Sequence, residues 1–123
     1  MSDIRSHRDL VAWQKAVDLA VLVYRVCERL PERERFGLWS QATRAAASIP
    51  MNIAEGRGRQ GSREFANFLS IARGSLAELD TSLELCVRLG YLERTVLADV
   101  DTLADEVGKM LTTLLRRLRE PRA

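Results

Sequence analysis

Cysteine, histidine, proline and glycine are all scarce in this chain of 123 residues. The 2 cysteines, Cys27 and Cys86, lie far apart and form no CxxC pair, which excludes a disulfide scaffold and a zinc knuckle and predicts reduced thiols in the cytoplasm. With only 7 Gly and 3 Pro, a collagen-like or low-complexity chain is excluded. The longest strictly aliphatic run covers residues 19–23, so we expect neither a secretory signal nor a membrane span.

Charge is small in total and uneven along the chain. The formal net charge is +2, and 17 of the 19 basic residues are arginine. Residues 33–73 carry seven Arg against three Glu, residues 74–115 carry three basic against eight acidic residues, and residues 116–123 carry four Arg against one Glu. The arginine bias favours bidentate recognition of phosphate or carboxylate, and a GC-rich genome would produce the same bias.

Apolar residues recur at alternating steps of three and four along four segments, which predicts amphipathic helices. We expect these helices over approximately residues 10–30, 33–57, 62–89 and 94–119. No segment has the period-two alternation of a strand, so the predicted fold class is all-α. Long helices with short connections predict an up-down-up-down bundle in a single domain over residues 1–123.

Pro50 lies inside the second predicted helix. Because the apolar rhythm resumes at Ile53, we expect a kinked but continuous helix rather than a loop. Asn52, Glu55 and Gly56 follow within two turns, and Asn52 can donate to a carbonyl that the proline leaves without a partner. A structural network around the proline is the favoured interpretation, and a ligand or partner site is the alternative.

The first predicted helix is apolar on two sides, although a bundle helix needs one apolar face. One seam contains Trp13, Val17 and Tyr24. Two seams with the heptad rhythm predict that the chain binds copies of itself. We expect the second seam to form the interface between copies, through Leu19, Val23, Val26 and Leu30.

Two groups of arginines are candidate nucleic-acid contacts. They lie in the turn before the third helix and in the C-terminal tail, and comprise Arg57, Arg59, Arg63, Arg116, Arg117 and Arg119. Contacts from such side chains to phosphate depend strongly on salt and carry little sequence information. Aromatic residues make up only 6% and do not interleave with the arginines, so base stacking is not expected. A solvated turn, and a tail that complements the helix dipole, are the alternatives.

The residues of an enzyme site are largely missing. His7 is the only histidine, both cysteines lie on apolar seams, and no helix has the Glu-x-x-His pairs of a di-metal bundle. We therefore expect a non-enzymatic protein without metal or cofactor. The alternative to nucleic-acid binding is a scaffold whose acidic third and fourth helices bind a basic protein.

Residues 48–56 read Ser-Ile-Pro-Met-Asn-Ile-Ala-Glu-Gly. With this core, the chain resembles the 23S ribosomal RNA intervening sequence proteins, and the resemblance extends over residues 8–10, 13–16, 36–38, 40–41, 64–65, 68–69, 74–79 and 89–92. His7 and Met51 depart from the pattern, since an aromatic and a small polar residue are usual there.

The resemblance implies a left-handed four-helix bundle that assembles as a ring of five, and it implies no established activity. A similar bundle serves as the accessory protein of diversity-generating retroelements, where a pentameric ring with a basic surface works with nucleic acid. That similarity is one of fold alone.

Overall fold

The computed structural model describes His7 and residues 10–120. Its four α-helices are α1 (Val11–Cys27), α2 (Leu38–Arg57), α3 (Ser62–Arg88) and α4 (Ala98–Arg119). Short 3₁₀ turns, Glu32–Glu34 and Arg94–Leu97, precede α2 and α4 where the sequence predicted the first turns of those helices. No strand occurs in the described part of the chain, so the all-α prediction is confirmed.

Each helix packs against two others. Helix α1 contacts α2 and α4, and α3 contacts the same two helices. The core between them is built from the apolar stripe of each helix, with Leu19, Ile53, Leu69 and Leu111 among its fully buried side chains. Burial of these stripes, rather than helix propensity, supplies most of the stability of such helices.

The second seam of α1 lies inside the bundle. Leu19 and Val23 have 0% exposed surface, Leu30 is buried, and Val26 packs against the core. This burial corrects the prediction that Leu19, Val23, Val26 and Leu30 face a second copy, because these side chains contact their own chain. The reason is that α1 must pack against two neighbours, α2 and α4, and therefore uses a wide apolar face.

Helix α2 passes through Pro50 without a break, as the sequence predicted. Further along, the buried Gly56 lets α2 approach α3 closely, since a Cβ on Gly56 would lie 2.7 Å from the Cβ of Phe68. Helix α3 then begins after Gly61, whose φ of +96° suits glycine. This close packing positions the short turn that carries Arg59. Within the described ranges, no helix is both long and apolar enough to cross a membrane.

Candidate nucleic-acid interface

The arginines of the turn before α3 differ in their surroundings. Arg59 is exposed, and its Nη2 lies 2.8 Å from Oε2 of Glu55. Its guanidinium also lies 5.2 Å from the centre of the Phe68 ring, within the range of a cation–π contact. Arg57 is half-buried, and Arg63 is exposed in the first turn of α3. The charge of Arg59 is thus partly offset by Glu55, whereas Arg63 faces solvent.

Arg119 of the tail meets α3 at the same height along the helix axis as Arg59 does. Arg119 Nη2 donates a hydrogen bond of 3.2 Å to Ser70 Oγ, near the start of α3. Arg59 lies over Phe68, in the same turn of α3 but on the opposite side of the helix. The structure therefore brings the two predicted arginine groups to one end of the bundle. We call this set the arginine-rich end and define it as Arg57, Arg59, Arg63, Arg116, Arg117 and Arg119.

A groove of about 920 Å³ runs between α3 and α4 and begins at this end. Arg73 and Arg116 both line it, and both are exposed. Arg73 was not among the residues that the sequence pointed to. Its position one helical turn after Ser70, on the side of α3 that faces α4, is the feature that connects it to the arginine-rich end.

The other half of the groove is acidic. Asp80, Asp101 and Asp105 line it, and Asp105 forms an ion pair of 3.0 Å with Lys109. Beyond the groove, Glu84 accepts hydrogen bonds from Arg94 and Arg88, which lower the pKa of its carboxyl to about 2.

No cluster of three or more potential metal ligands occurs among His7 and residues 10–120.

The residues around Pro50 form two separate sets of contacts. Asn52 Nδ2 donates to the Ser48 carbonyl oxygen at 2.8 Å and to Ser48 Oγ at 2.9 Å, and Ser48 Oγ lies 2.8 Å from Ser75 Oγ on α3. Pro50 leaves the carbonyl of Ala46 without its usual donor, whereas Asn52 donates to the carbonyl of Ser48, two residues further along. Glu55 points away from Asn52 to Arg59. The contacts of Asn52 fit the interpretation of a structural network that joins α2 to α3.

A model of the 23S rRNA-intervening sequence protein family matches residues 8–113. The chain belongs to the 23S rRNA-intervening sequence protein family. It is also similar to the crystal structure, at 1.70 Å resolution, of a protein with unknown function from the S23 ribosomal protein family of Bacteroides thetaiotaomicron VPI-5482, with 28% sequence identity and a TM-score of 0.79. The similarity covers 86% of this chain and 99% of the other. No curated protein matches the chain.

The match to the 23S rRNA-intervening sequence protein family includes Arg57, Arg59, Arg63 and Arg73 and ends before Arg116. The arginines of the turn and of α3 are thus within the part shared with the family model. Those of the tail lie outside it, so the tail's contribution to the arginine-rich end rests on this chain's own contacts.

This member of the 23S rRNA-intervening sequence protein family also has an exposed apolar face on α1 and α2. Val21, Tyr24 and Met51 are 42%, 43% and 68% exposed, and Trp13 and Val17 lie beside them in a groove of about 530 Å³. We call this set the α1–α2 face. Exposed apolar side chains that are grouped in this way mark sites of interaction with another surface.

The cysteines and His7 show no arrangement typical of a nucleophile. Cys27 and Cys86 are buried, and burial, together with the neighbouring Cys86 thiol, raises the pKa of Cys27 to about 12. A thiol held in its protonated form is a poor nucleophile and a poor metal ligand. The His7 ring packs edge-on against Trp13, with the ring centres 4.9 Å apart.

Proposed function

We propose that this protein is non-enzymatic, acts in the cytoplasm, and binds RNA or another nucleic acid through its arginine-rich end. The observation that carries the proposal is that one arginine from each of two groups far apart in the sequence, Arg59 and Arg119, contacts α3 within its first three turns. Three of these arginines, Arg63, Arg116 and Arg117, are exposed and have no ion pair with a carboxylate in the described structure. No metal or cofactor is needed for this activity.

The chemistry of the arginine-rich end favours contact with the phosphate backbone. Arginine presents a planar fork of donors that matches phosphate oxygens. Of the aromatic rings near these arginines, Phe65 packs against the core, and Phe68 is half-buried and lies under Arg59, so neither offers a free face to a base. We therefore expect binding with a steep dependence on salt and little preference for sequence.

The proposal includes assembly into a ring. Membership of the 23S rRNA-intervening sequence protein family also favours a ring. We propose that the four helices alternate in direction in a left-handed bundle with a kink at Pro50, and that five copies form the ring. The α1–α2 face supports self-association, since a grouped apolar surface gains stability when a second copy covers it. A ring would repeat the arginine-rich end in each copy and so strengthen binding by multivalency.

The nucleic-acid proposal is tested by measuring the affinity for an rRNA hairpin and for an unrelated RNA duplex. The salt concentration is varied between about 50 and 200 mM, the range over which phosphate contacts change the affinity strongly. We expect Arg63→Ala/Arg117→Ala to lower the slope of log K against log salt by about 2, because each lost phosphate contact removes about 0.9. Arg29→Ala/Arg44→Ala is the matched control. It removes the same charge from exposed positions outside the arginine-rich end.

A folded wild-type protein that does not bind either RNA at the lowest salt overturns the proposal. An equal loss of slope in the control variant overturns the assignment to the arginine-rich end, since the effect would then come from net charge alone.

Self-association is tested by light scattering on the wild type and on Val21→Lys/Met51→Lys. We expect the wild type to be an oligomer and the variant to be a folded, smaller species, because charged side chains on the α1–α2 face must be desolvated on assembly. A monomeric wild type overturns the ring, and a variant of unchanged size overturns the role of this face.

A second candidate function is a scaffold that binds a basic protein. It is favoured by the grouping of Asp80, Asp101 and Asp105 in one groove. Pull-down before and after nuclease treatment separates the two functions, because a direct protein partner survives nuclease and a partner bridged by RNA does not.

A further inference from the structure

We infer that the groove between α3 and α4 determines the path of the bound nucleic acid, with Arg73 and Arg116 holding its phosphates and the acidic half of the groove ending the contact. This inference rests on the proposed function and deepens it, since it assigns Arg73 to the interface and gives the interface a boundary.

Arg73 and Arg116 project from different helices into the same groove, close to the arginine-rich end. Thr112 and Thr113 line the groove at the same level and bring hydroxyl groups that can donate to phosphate oxygens. Neither Arg73 nor Arg116 has an acidic partner within ion-pair distance in the described structure. Two unpaired guanidinium groups with hydroxyl neighbours are suited to a phosphodiester backbone.

Lys109 marks the boundary of the basic half. Its ammonium group is engaged by Asp105, so its charge is largely cancelled. From Lys109 to Arg116, α4 makes about two turns and rises about 11 Å, which is the length of about three phosphates of one strand in a DNA duplex, at about 3.4 Å each.

The acidic half then repels the backbone. Among the described residues, Asp80 and Asp101 line it without an ion pair within about 4 Å, Asp101 interacts electrostatically with Arg94, and Asp105 pairs with Lys109. At low salt the screening length is comparable to the length of the basic half, so these carboxylates act on phosphates bound next to it. A backbone that followed the groove further would place phosphates against them, so the contact ends near Lys109.

The test uses the full-length protein and a fluorescein-labelled RNA duplex, with fluorescence anisotropy at 50 to 200 mM potassium chloride as the assay, a range over which phosphate contacts are resolved. We expect Arg73→Ala to lower the slope of log K against log salt by about 1 and the affinity at 50 mM salt by about tenfold. The reason is that one phosphate contact raises the binding constant by roughly a factor of ten when the salt falls from 1 M to 50 mM. Arg44→Ala, an exposed arginine of α2 outside the groove, is the matched control.

The acidic boundary is tested by Asp80→Asn/Asp101→Asn, which we expect to tighten binding at least twofold at the lowest salt. The control is Glu78→Gln/Asp99→Asn, which removes the same charge from exposed positions of α3 and α4 that do not line the groove. Far-ultraviolet circular dichroism checks that each variant is folded.

The outcomes distinguish this inference from the proposed function. If the wild type binds the duplex and Arg73→Ala behaves like Arg44→Ala, the role of the groove is overturned while the arginine-rich end stands. Unchanged affinity in Asp80→Asn/Asp101→Asn overturns the acidic boundary. A wild type that does not bind RNA at the lowest salt overturns both, and binding of a basic protein to the acidic half then becomes the remaining function of the groove.

Discussion

Replacing Gly56 with alanine tests whether the close approach of α2 and α3 is as tight as the structure indicates. A Cβ at this position would lie 2.7 Å from Phe68 Cβ, 3.0 Å from Phe65 Cδ1 and 3.3 Å from the Phe65 carbonyl oxygen. Carbon atoms in ordinary contact are about 3.5 to 4.0 Å apart. The closest atom, Phe68 Cβ, is fixed to the backbone of α3, so a change of side-chain rotamer cannot relieve the contact. The two helices must move apart.

Two effects of opposite sign decide the stability of Gly56→Ala. Alanine gains up to about 1 kcal/mol over glycine in a helix, and the gain is smaller at Gly56 because this residue lies in the last turn of α2. Overpacking of a buried contact costs about 1 to 3 kcal/mol, and the backbone-bound neighbour places Gly56 in the upper half of that range. We therefore expect Gly56→Ala to lower the free energy of unfolding by about 1 to 3 kcal/mol.

Gly74→Ala is the matched control, since no atom lies within 4 Å of its added Cβ. It should raise the free energy of unfolding by up to about 1 kcal/mol. Gly74 lies in the middle of α3 and Gly56 in the last turn of α2, so the difference between the two variants, about 2 to 4 kcal/mol, contains the overpacking cost and a smaller gain in helix propensity at Gly56.

The assay is urea unfolding followed by circular dichroism at one fixed protein concentration, since self-association would otherwise shift the midpoint. The midpoint of Gly56→Ala should lie below that of the wild type, and the midpoint of Gly74→Ala above it or equal to it. If Gly56→Ala is as stable as Gly74→Ala, the helices have room for a methyl group, and the account of this turn is incorrect.

Three further outcomes follow from the structure. Leu19→Ala should cost about 2 to 5 kcal/mol of stability, measured by urea unfolding, because Leu19 is fully buried; a loss below 1 kcal/mol would contradict its place in the core. Cys27 and Cys86 should resist a thiol reagent at pH 8 until the protein is unfolded, since burial raises both pKa values; rapid labelling of native protein would contradict this. Hydrogen bonds from Arg94 and Arg88 hold the pKa of Glu84 at about 2, below its usual 4.5, so an NMR titration should find its midpoint near pH 2. Its contribution to stability is therefore present above pH 4.5 and lost as the pH falls toward 2, and Arg94→Ala should raise its pKa.

Much of the fold was predictable because helix periodicity is a local property. Apolar residues spaced at alternating steps of three and four residues predicted the positions of all four helices. The same spacing resumes after Pro50 and predicted that α2 is continuous. The 3₁₀ turns were not predicted, since periodicity does not distinguish a short, tighter turn from the first turn of an α-helix.

What the sequence by itself determined is the all-α class, the helix positions and the two arginine groups. The tertiary structure decided which apolar seam of α1 is inside: periodicity shows that a face is apolar, but only the neighbours of α1 determine that Leu19 and Val23 are buried and that Tyr24 is exposed. The spacing of four residues between Glu55 and Arg59 is local and can be read from the sequence. That Arg73 shares a groove with Arg116 depends instead on how α3 and α4 pack, which no local pattern encodes.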